Sequence, residues 1–373
     1  MKICLMTIFQ VPNYGSVLQA YATQKLLEKL GHECEIINYK YPNEWHYQNG
    51  LARPSRIKRI STRIYRCFFP YNDVFHSFRK NYLKLTRVFH CLKELQEGDW
   101  MNYDIFIVGS DQVWNTKYHH GDRAFLLSFV PKQKRKCSIA SSFATNKIPD
   151  IHKNTYKKEL SKFNSISVRE QNGIDIITKQ LGIDKNVFLC ADPTLLINKD
   201  EWLKMATPES PQINKPYILI YALDYAYKKN LAPFLNEVAS YFQSKLAGCN
   251  VIVLAGFRLG NAQERKRWIN AQKSTVPEFI SYFAGAKLII TTSFHGTAFA
   301  LNFGRPLVSI VPEIEDDRQS SLLRNLDLLQ CRLEVNGEIQ SVQPYYDVEQ
   351  AQAKLSTIRS ECIKWINDEI LKK

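Results

Sequence analysis

The sequence predicts an α/β protein with two Rossmann-like domains, and three observations lead to this fold class. Short apolar stretches alternate with segments of helical periodicity along the chain, as they do in parallel βαβ units. A stretch containing proline and serine at 207–211 breaks this alternation, which then restarts. The length of 373 residues suits two domains. We therefore expect the first domain to end at about residue 212.

The first predicted domain, 1–212, contains a series of short apolar strands. A polar or turn-forming loop follows each one, so we expect parallel βαβ units with right-handed crossovers. An amphipathic helix over 16–30, ended by Gly31, joins the first two strands. A basic insertion at about 45–100 interrupts the alternation. The predicted strands are 2–9, 32–39, 104–109, 136–144, 165–170 and 187–192.

The second predicted domain, 213–345, repeats the alternation, and a C-terminal segment, 346–373, follows it as a helix. Such a helix can cross back to the first domain, and the whole pattern then describes a GT-B-like arrangement. Ligands of open α/β sheets bind outside the carboxyl ends of the strands, so we expect the site in the cleft between the domains. The predicted elements are strands 217–223, 250–256, 288–293 and 306–312, and helices 228–245, 277–286 and one from 296.

The charge of the chain favours an anionic partner. Fifty basic residues against 36 acidic ones give a net charge of +14, which fits nucleic acid, lipid headgroups or phosphorylated substrates. No nucleic-acid-binding motif accompanies this charge, so we expect no nucleic acid. The nine cysteines are scattered and form no CxxC pair, which argues against a zinc site or a disulfide framework and fits the cytoplasm. No apolar stretch approaches the roughly 20 residues of a membrane span.

The strongest candidate for chemistry is His295, in the run from Thr291 to Thr297. This run ends a predicted strand and begins a helix, so backbone N–H groups and the positive helix end point at a ligand there. Gly296 lets the backbone approach that ligand closely, and Ser293 lies on the strand side. A lone histidine is more often a core residue, but the strand–His–Gly–helix context favours a functional one.

Arg169 is the second candidate, because it directly follows the apolar strand that begins at residue 165. Its planar guanidinium suits a carboxylate or a phosphate at the mouth of a cleft. The alternative is a surface ion pair with Glu170 or Asp192. The sequence leaves both interpretations open.

The loop between the first strand and the first helix is a weaker candidate. Asn13 and Gly15 flank Tyr14 there and can form a phosphate- or sugar-binding turn, with Ser16 capping the helix. As a plain turn, the loop needs no function.

The loop after strand 104–109 carries Asp111, Gln112 and Trp114. Amides, a carboxylate and a tryptophan together are typical of a surface that faces carbohydrate, and Asp111 can act as a base for an acceptor hydroxyl. The alternative is an Asx-type turn with Trp114 in the core.

Motifs of metal- and nucleotide-dependent enzymes are absent from the sequence. DxD, GxxxxGK[ST], HExxH and GxSxG do not occur, so metal-bound nucleotide sugars, P-loop, zinc-protease and α/β-hydrolase chemistry lack support. His119 and His120 lie in a polar loop, where we expect solvated side chains. We therefore predict no metal and no cofactor.

Several motifs occur in a specific order from residue 13 to about 311. They are NYGSVLQAYA, GSDQVWN, SIASSFA, SVRE, CADPT and TTSFHGTAFALNFGRPLVSIV. In this combination the chain resembles the polysaccharide pyruvyl transferase family. The resemblance implies a GT-B-like fold and the transfer of pyruvate from phosphoenolpyruvate onto sugars as a ketal. It implies that His295 is the catalytic histidine and that Arg169 binds the donor, whereas about 45–100 and the tail beyond 312 match poorly.

The resemblance leads to a reaction scheme in which His295 protonates the methylene carbon of phosphoenolpyruvate and Asp111 is a candidate base. Arg169 and the amides of Gly296 and Thr297 would hold the anionic groups of the donor, with Ser293 beside them. The acceptor would meet a second set of residues. That expected acceptor-binding set is Asn13, Tyr14, Gly15, Gln112 and Trp114.

Two other functions remain open at this stage. A GT-B glycosyltransferase using a nucleotide sugar shares the fold, although the run after His295 lacks the acid expected of such an enzyme. A non-catalytic binding subunit is the other alternative, and the presence of both His295 and Arg169 argues against it.

The segment 53–70 is basic and amphipathic, with apolar residues at helical spacing. Such a helix can lie on an anionic membrane surface, and acceptors of the resembling family are commonly lipid-linked sugars. We therefore expect a cytoplasmic protein that is peripheral on the inner membrane face. The alternative is a domain helix whose apolar side packs inside.

Overall fold

Two α/β units make up the chain, each built around a parallel sheet. By compactness the first unit comprises 1–196 and 361–373, and the second comprises 197–360. The structure, a computed structural model, describes residues 1–40, 71–207, 215–223, 231–254, 259, 263, 266, 268–311 and 318–372. The predicted basic segment 53–70 therefore lies outside the described residues.

The sheet of the first unit has the strand order β3-β2-β1-β4-β5, and every strand pair is parallel. Strands β6 and β7 form a second parallel pair, and the bridges Cys137–Ser165 and Ser141–Val168 connect β5 and the loop after it to β6. All carboxyl ends therefore meet at one edge. The strands are β1 (Lys2–Met6), β2 (Glu33–Tyr39), β3 (Leu85–Phe89), β4 (Ile105–Val108), β5 (Arg135–Ser138), β6 (Ile166–Val168) and β7 (Val187–Leu189).

Helices connect these strands, and the first of them begins earlier than predicted. Asn13 caps it by accepting a hydrogen bond from the amide of Ser16 at 3.2 Å, so Ser16 lies inside the helix and is not its cap. The helices are α1 (Tyr14–Lys29), α2 (Tyr71–Tyr82), α3 (Leu92–Gln96), α4 (Thr116–His119), α5 (Asp150–Leu160), α6 (Gln171–Asp175) and α7 (Pro193–Leu196), with a 3₁₀ turn at Arg123–Leu126 and a π-helical turn at Ile176–Gln180.

The second unit has the strand order β10-β9-β8-β11-β12-β13, again with parallel pairs throughout. Its central strand β11 ends immediately before the helix that carries His295. The strands are β8 (Tyr217–Tyr221), β9 (Asn250–Val253), β10 (Ile269–Asn270), β11 (Leu288–Thr291), β12 (Leu307–Val311) and β13 (Arg332–Glu334).

The helices of the second unit pack on this sheet, and the last of them continues into the first unit. They are α8 (Lys199–Leu203), α9 (Ala232–Lys245), α10 (Val276–Gly285), α11 (Phe294–Asn302), α12 (Arg318–Asn325) and α13 (Val348–Trp365), which extends as a π-helical turn at Ile366–Leu371; 3₁₀ turns lie at Leu329–Cys331 and Ile339–Ser341.

The division between the units falls after Leu196, earlier in the chain than the predicted boundary at 212. The reason is packing: the ring of Trp202 lies 5.1 Å from that of Phe299, and Asn302 donates a hydrogen bond to the carbonyl of Ile197 at 2.8 Å. Residues 197–207 thus pack with the second unit.

The C-terminal segment groups with the first unit from Glu361 onward. The ring of Trp365 stacks on Phe188 at 4.8 Å, and Arg135 donates to the carbonyl of Lys372 at 2.6 Å. No helix within the described ranges is long and apolar enough to span a membrane.

Candidate functional site

The carboxyl edge of the first sheet gathers polar side chains from several loops. The loops after β4, β5, β6 and β7 and the first turn of α1 all contribute to one buried cluster. This is the edge at which open α/β sheets bind ligands. This carboxyl-edge cluster consists of Ser16, Ser110, Asp111, Ser142, Arg169, Glu170, Asp192 and Thr194.

Asp111 lies in a sharp turn after β4. Gly109 precedes it with φ +115°, and a Cβ atom at Gly109 would collide with the carbonyl of Ile139, so only glycine fits there. Asp111 itself has φ +66°, a left-handed conformation that a short polar residue tolerates. Its Oδ2 accepts a hydrogen bond from Ser16 Oγ at 2.9 Å. The turn thus directs the carboxylate toward α1.

Arg169 lies at the end of β6, and its side chain is 1% exposed. Its Nη1 donates to Asp192 at 2.6 Å and its Nε donates to Glu170 at 3.1 Å. Its Nη2 lies 3.9 Å from Oδ1 of Asp111. The two partners predicted from the sequence are thus the observed ones, but the ion pairs are buried and do not lie on the surface.

The charge of this cluster follows from its members. Within the described ranges, one guanidinium faces three carboxylates, those of Asp111, Glu170 and Asp192, so these four groups together have a negative formal charge when all are ionised. An excess of negative charge disfavours binding of an anion. It favours a ligand with hydroxyl groups, because carboxylates accept hydrogen bonds from hydroxyls. These four groups therefore suit a ligand with hydroxyl groups better than an anion.

Cys190 is the thiol nearest to this cluster along the chain, two residues before Asp192. A hydrogen bond with Cys362 and burial raise the pKa of the Cys190 thiol well above its usual range. A neutral thiol is a poor nucleophile, so we assign no covalent role to Cys190.

The predicted acceptor-binding residues of the opening loop are not all available to a ligand. Tyr14 is buried, with its ring 4.9 Å from that of Phe75, and Gly15 is buried within α1. Asn13 is half-buried and its side chain is the helix cap. Of the three residues, only Asn13 retains partial exposure.

In the loop after Asp111, the structure contradicts the predicted role of Trp114 in acceptor binding. Trp114 is 0% exposed in the hydrophobic core, and its Nε1 donates to the carbonyl of Phe125 at 3.1 Å. The interpretation of Trp114 as a carbohydrate-facing residue is therefore wrong, because its ring has no exposed face. Gln112 is half-buried and accepts a hydrogen bond from Asn115 at 2.7 Å.

In the second unit, His295 lies in the first turn of α11 and is 7% exposed. Ser293 caps this helix, and its Oγ accepts from the amide of Gly296 at 3.4 Å. The ring of Phe294 lies 5.4 Å from the imidazole. The strand–histidine–helix junction predicted from the sequence is confirmed, with the helix beginning two residues before Gly296.

The backbone amides expected to hold the donor anion are engaged within this helix. The amide of Gly296 donates to Ser293 Oγ and that of Thr297 donates to the carbonyl of Ser293 at 2.9 Å. The hydroxyl of Thr297 lies 2.8 Å from that of Ser309, to which Gln319 also donates at 2.9 Å. The hydroxyl of Thr297 thus joins α11 to β12 and α12.

Gly296 packs tightly against the sheet, and this gives a first prediction. A Cβ atom at Gly296 would collide with Oγ1 of Thr291 and lie 2.9 Å from Cδ1 of Tyr221. We expect Gly296→Ala to lower the free energy of unfolding by about 1–3 kcal/mol through overpacking, measured by urea denaturation. An unchanged midpoint and slope would show that α11 moves away from β11 without cost.

His119 differs from its neighbour in the predicted polar loop. It is 3% exposed, with its ring centroid 4.5 Å from that of Phe125, whereas His120 is exposed. The expected solvation of His119 is therefore wrong, because α4 turns its side chain into the core. Among the residues that the structure describes, no group of three or more His, Cys, Asp or Glu side chains could hold a metal ion.

Solved structures resemble nearly the whole chain in fold. The Methanocaldococcus jannaschii UDP-GlcNAc 2-epimerase, solved with UDP-GlcNAc and UDP, superposes with a TM-score of 0.53 at 12% identity, covering 96% of this chain and 100% of that one. The Staphylococcus aureus MnaA–UDP structure gives 0.53 at 11% identity, covering 97% and 91%. These identities show the fold alone. The predicted fold class of two Rossmann-like domains of GT-B type is confirmed.

Sequence comparison identifies the family. A search of curated proteins finds no match. Residues 13–313 match the family described as polysaccharide pyruvyl transferase, and this range contains both the carboxyl-edge cluster of the first unit and His295 of the second. The match covers most of the chain, which therefore belongs to the polysaccharide pyruvyl transferase family and is a transferase.

Proposed function

We propose that this protein transfers the pyruvyl group of phosphoenolpyruvate onto two hydroxyls of a sugar in a surface polysaccharide or its lipid-linked precursor. The product is a pyruvate ketal and the leaving group is phosphate. Family membership supports a pyruvyl transferase. The observation that carries the choice of donor is His295, a largely buried histidine in the first turn of a helix that follows the central strand of the second unit.

The chemistry of phosphoenolpyruvate explains why one histidine is the centre of the proposal. In the proposed first step His295 gives a proton to the methylene carbon, which becomes a methyl group and leaves an oxocarbenium-like carbon beside it. An acceptor hydroxyl attacks that carbon and releases its proton to a base. Phosphate then departs and a second hydroxyl closes the ketal. General acid catalysis of this kind contributes about 10²–10⁴-fold.

Asp111 is the proposed base. It is a carboxylate at the ligand-binding edge of the first sheet, held by Ser16 and flanked by Arg169. The negative formal charge of its surroundings supports acceptor binding in this unit. Asn13 and Gln112, both half-buried in the adjoining loops, are the proposed acceptor contacts.

Donor binding by Arg169 also stays a proposal. Its planar fork matches the carboxylate of phosphoenolpyruvate, but the observed partners are Glu170 and Asp192. Among the described residues, the three carboxylates near Arg169 outnumber its one positive charge, which disfavours a further anion. Substitution by lysine separates the two roles, as argued in the Discussion.

The test of the function is a product assay. The protein is incubated with phosphoenolpyruvate and a panel of oligosaccharides, and we expect phosphate release together with a saccharide whose mass has risen by pyruvate less one water. The same panel with UDP-linked sugars should give no glycosyl transfer. Glycosyl transfer without ketal formation would overturn the proposal in favour of a nucleotide-sugar glycosyltransferase.

Ligand-induced stabilisation gives an independent measurement. A ligand that binds the folded state stabilises it by RT ln(1 + [L]/Kd), so the melting temperature rises once the ligand concentration exceeds Kd. We expect phosphoenolpyruvate to raise it and UDP to leave it unchanged. No change with phosphoenolpyruvate at millimolar concentration, together with a rise with UDP, would contradict the proposed donor.

The basic segment 53–70 is proposed to bring the protein to the cytoplasmic face of an anionic membrane. Its sequence contains six basic residues and no acidic one, and each basic residue near anionic lipid contributes about 1 kcal/mol. We expect Arg59→Glu, Arg63→Glu and Arg66→Glu together to abolish sedimentation with phosphatidylglycerol vesicles while sparing activity on a soluble acceptor.

The matched control changes the same amount of charge elsewhere. Lys132, Lys157 and Lys158 are exposed in the first unit, and their replacement by glutamate should leave sedimentation nearly unchanged. Equal loss in both triple variants would assign the effect to net charge. Failure of the wild-type protein to sediment with the vesicles at low salt would contradict the proposal.

A further inference from the structure

Asp192 is a buried carboxylate of the carboxyl-edge cluster with four hydrogen bonds among the described residues. Its side chain is 0% exposed. Its Oδ2 accepts from Arg169 Nη1 at 2.6 Å and from Ser110 Oγ at 2.8 Å. Its Oδ1 accepts from the amide and the hydroxyl of Thr194 at 3.0 Å and 2.7 Å. One carboxylate thus joins the turn after β4, the end of β6 and the first turn of α7.

Both Oδ2 partners lead directly to Asp111. Ser110 is its neighbour in the chain, and the hydroxyl oxygen of Ser110, which donates to Asp192, also lies 3.0 Å from the carbonyl oxygen of Ala140. Arg169 places its Nη2 3.9 Å from Oδ1 of Asp111. Asp192 therefore fixes the backbone before Asp111 through one partner and the cation beside its carboxylate through the other.

The burial of the Asp192 side chain limits the role that it can have in the reaction. A carboxylate without exposed surface and with four hydrogen-bond donors in place has no contact to offer a substrate. Burial of a charged side chain costs desolvation free energy, and its hydrogen bonds must offset that cost. An influence of Asp192 on the reaction would pass through its hydrogen-bond partners, of which Ser110 and Arg169 lead to Asp111.

We propose that Asp192 is a positioning residue for pyruvyl transfer: through Ser110 and Arg169 it holds the carboxylate of Asp111 where an acceptor hydroxyl is deprotonated. This inference rests on the proposed function, because it takes Asp111 as the base. A misplacement of about 1 Å in a reacting group can lower a rate by about 10²-fold. The buried ion pair between Arg169 and Asp192 can therefore affect kcat by keeping Asp111 in position.

The first test is Asp192→Asn, which keeps the shape of the side chain and removes its charge. We expect kcat to fall about 10- to 100-fold at saturating phosphoenolpyruvate and saturating acceptor, because saturation removes any effect that passes through donor binding by Arg169. An unchanged kcat in folded protein would overturn the inference. Asp122→Asn is the matched control, because Asp122 also accepts bonds from a backbone amide and a hydroxyl, those of Ala124 and Tyr39.

A milder variant keeps the test valid if Asp192→Asn does not fold. Ser110→Ala removes one of the two links to Asp111 and leaves the bond between Arg169 and Asp192 in place. We expect a smaller fall in kcat, about 3- to 10-fold, with KM for phosphoenolpyruvate unchanged because the bond between Arg169 and Asp192 remains. Full turnover in Ser110→Ala would contradict the link through the turn after β4.

A double-mutant cycle separates positioning from general damage. If Asp192 acts through Asp111, then Asp192→Asn in an Asp111→Asn background lowers kcat no further than Asp111→Asn alone. Multiplicative losses would overturn the inference and assign Asp192 to stability. If Asp111→Asn has the same kcat as the wild type, both the assignment of the base and the inference are overturned. If Asp111→Asn lowers kcat but Asp192→Asn does not, the inference alone is overturned.

Discussion

His295→Ala is expected to remove nearly all pyruvyl transfer while leaving the fold intact. A positioned general acid contributes at least about 10²-fold, and alanine supplies no proton. The fold should survive because alanine is favoured in helices and because α11 keeps its cap at Ser293 and its hydroxyl contact between Thr297 and Ser309. The measurement is phosphate release under saturating donor, with circular dichroism to verify the fold.

Two companion variants sharpen this result. His295→Gln keeps a polar side chain of similar size and lacks an imidazole, so equal losses in His295→Ala and His295→Gln indicate loss of acid chemistry and not of packing. His90→Ala replaces an exposed histidine after β3 and should retain full activity. More than roughly a tenth of wild-type turnover in folded His295→Ala would contradict the assignment of the acid.

The central strands and the site at β11 could be predicted from the sequence because they combine two strong signals. Strands such as β1, β4, β8 and β11 are buried on both faces in parallel sheets and so read as continuous apolar runs. The change from apolar residues to Ser293, His295 and Gly296 then marks the start of a helix. Both signals are local in the chain, so the sequence alone contains them.

Edge strands gave no such signal. Strand β10 has two residues and β13 is Arg332–Glu334, with charged residues at both ends, as expected at a sheet edge. Strand β3 lies within the predicted insertion at 45–100 and has a mostly half-buried pattern. Parallel pairing with β2, β9 and β12 forms these strands, and those partners are distant in sequence.

The cluster around Arg169 shows the same limit at the level of side chains. The sequence pointed to Glu170 and Asp192 as partners, but burial of the whole group depends on loops from five positions along the chain. The bond between Ser16 and Asp111 joins residues 95 positions apart. The polar composition of its motif leaves both a carbohydrate-facing and a core position open for Trp114, and the turn at Asp111 decides for the core, where the ring is 0% exposed.

Removal of the guanidinium of Arg169 is expected to destabilise the first unit strongly. Breaking a buried ion pair by deleting one partner leaves uncompensated charge and costs about 3–5 kcal/mol. In Arg169→Ala the carboxylates of Glu170 and Asp192 lose the positively charged donor between them. The measurement is the free energy of unfolding in urea. A loss below about 1 kcal/mol, the value of an exposed pair, would contradict the buried geometry.

Arg169→Lys then distinguishes the structural role from donor binding. Lysine keeps the positive charge among the carboxylates, so we expect it to recover part of the stability lost in Arg169→Ala. It lacks the planar fork, so if Arg169 also holds the donor, calorimetry should show Kd for phosphoenolpyruvate raised about tenfold or more, the loss of one charge-assisted hydrogen bond of about 1.5–3 kcal/mol. An unchanged Kd in stable protein would assign Arg169 to the ion pairs with Glu170 and Asp192 alone and leave donor recognition to the second unit.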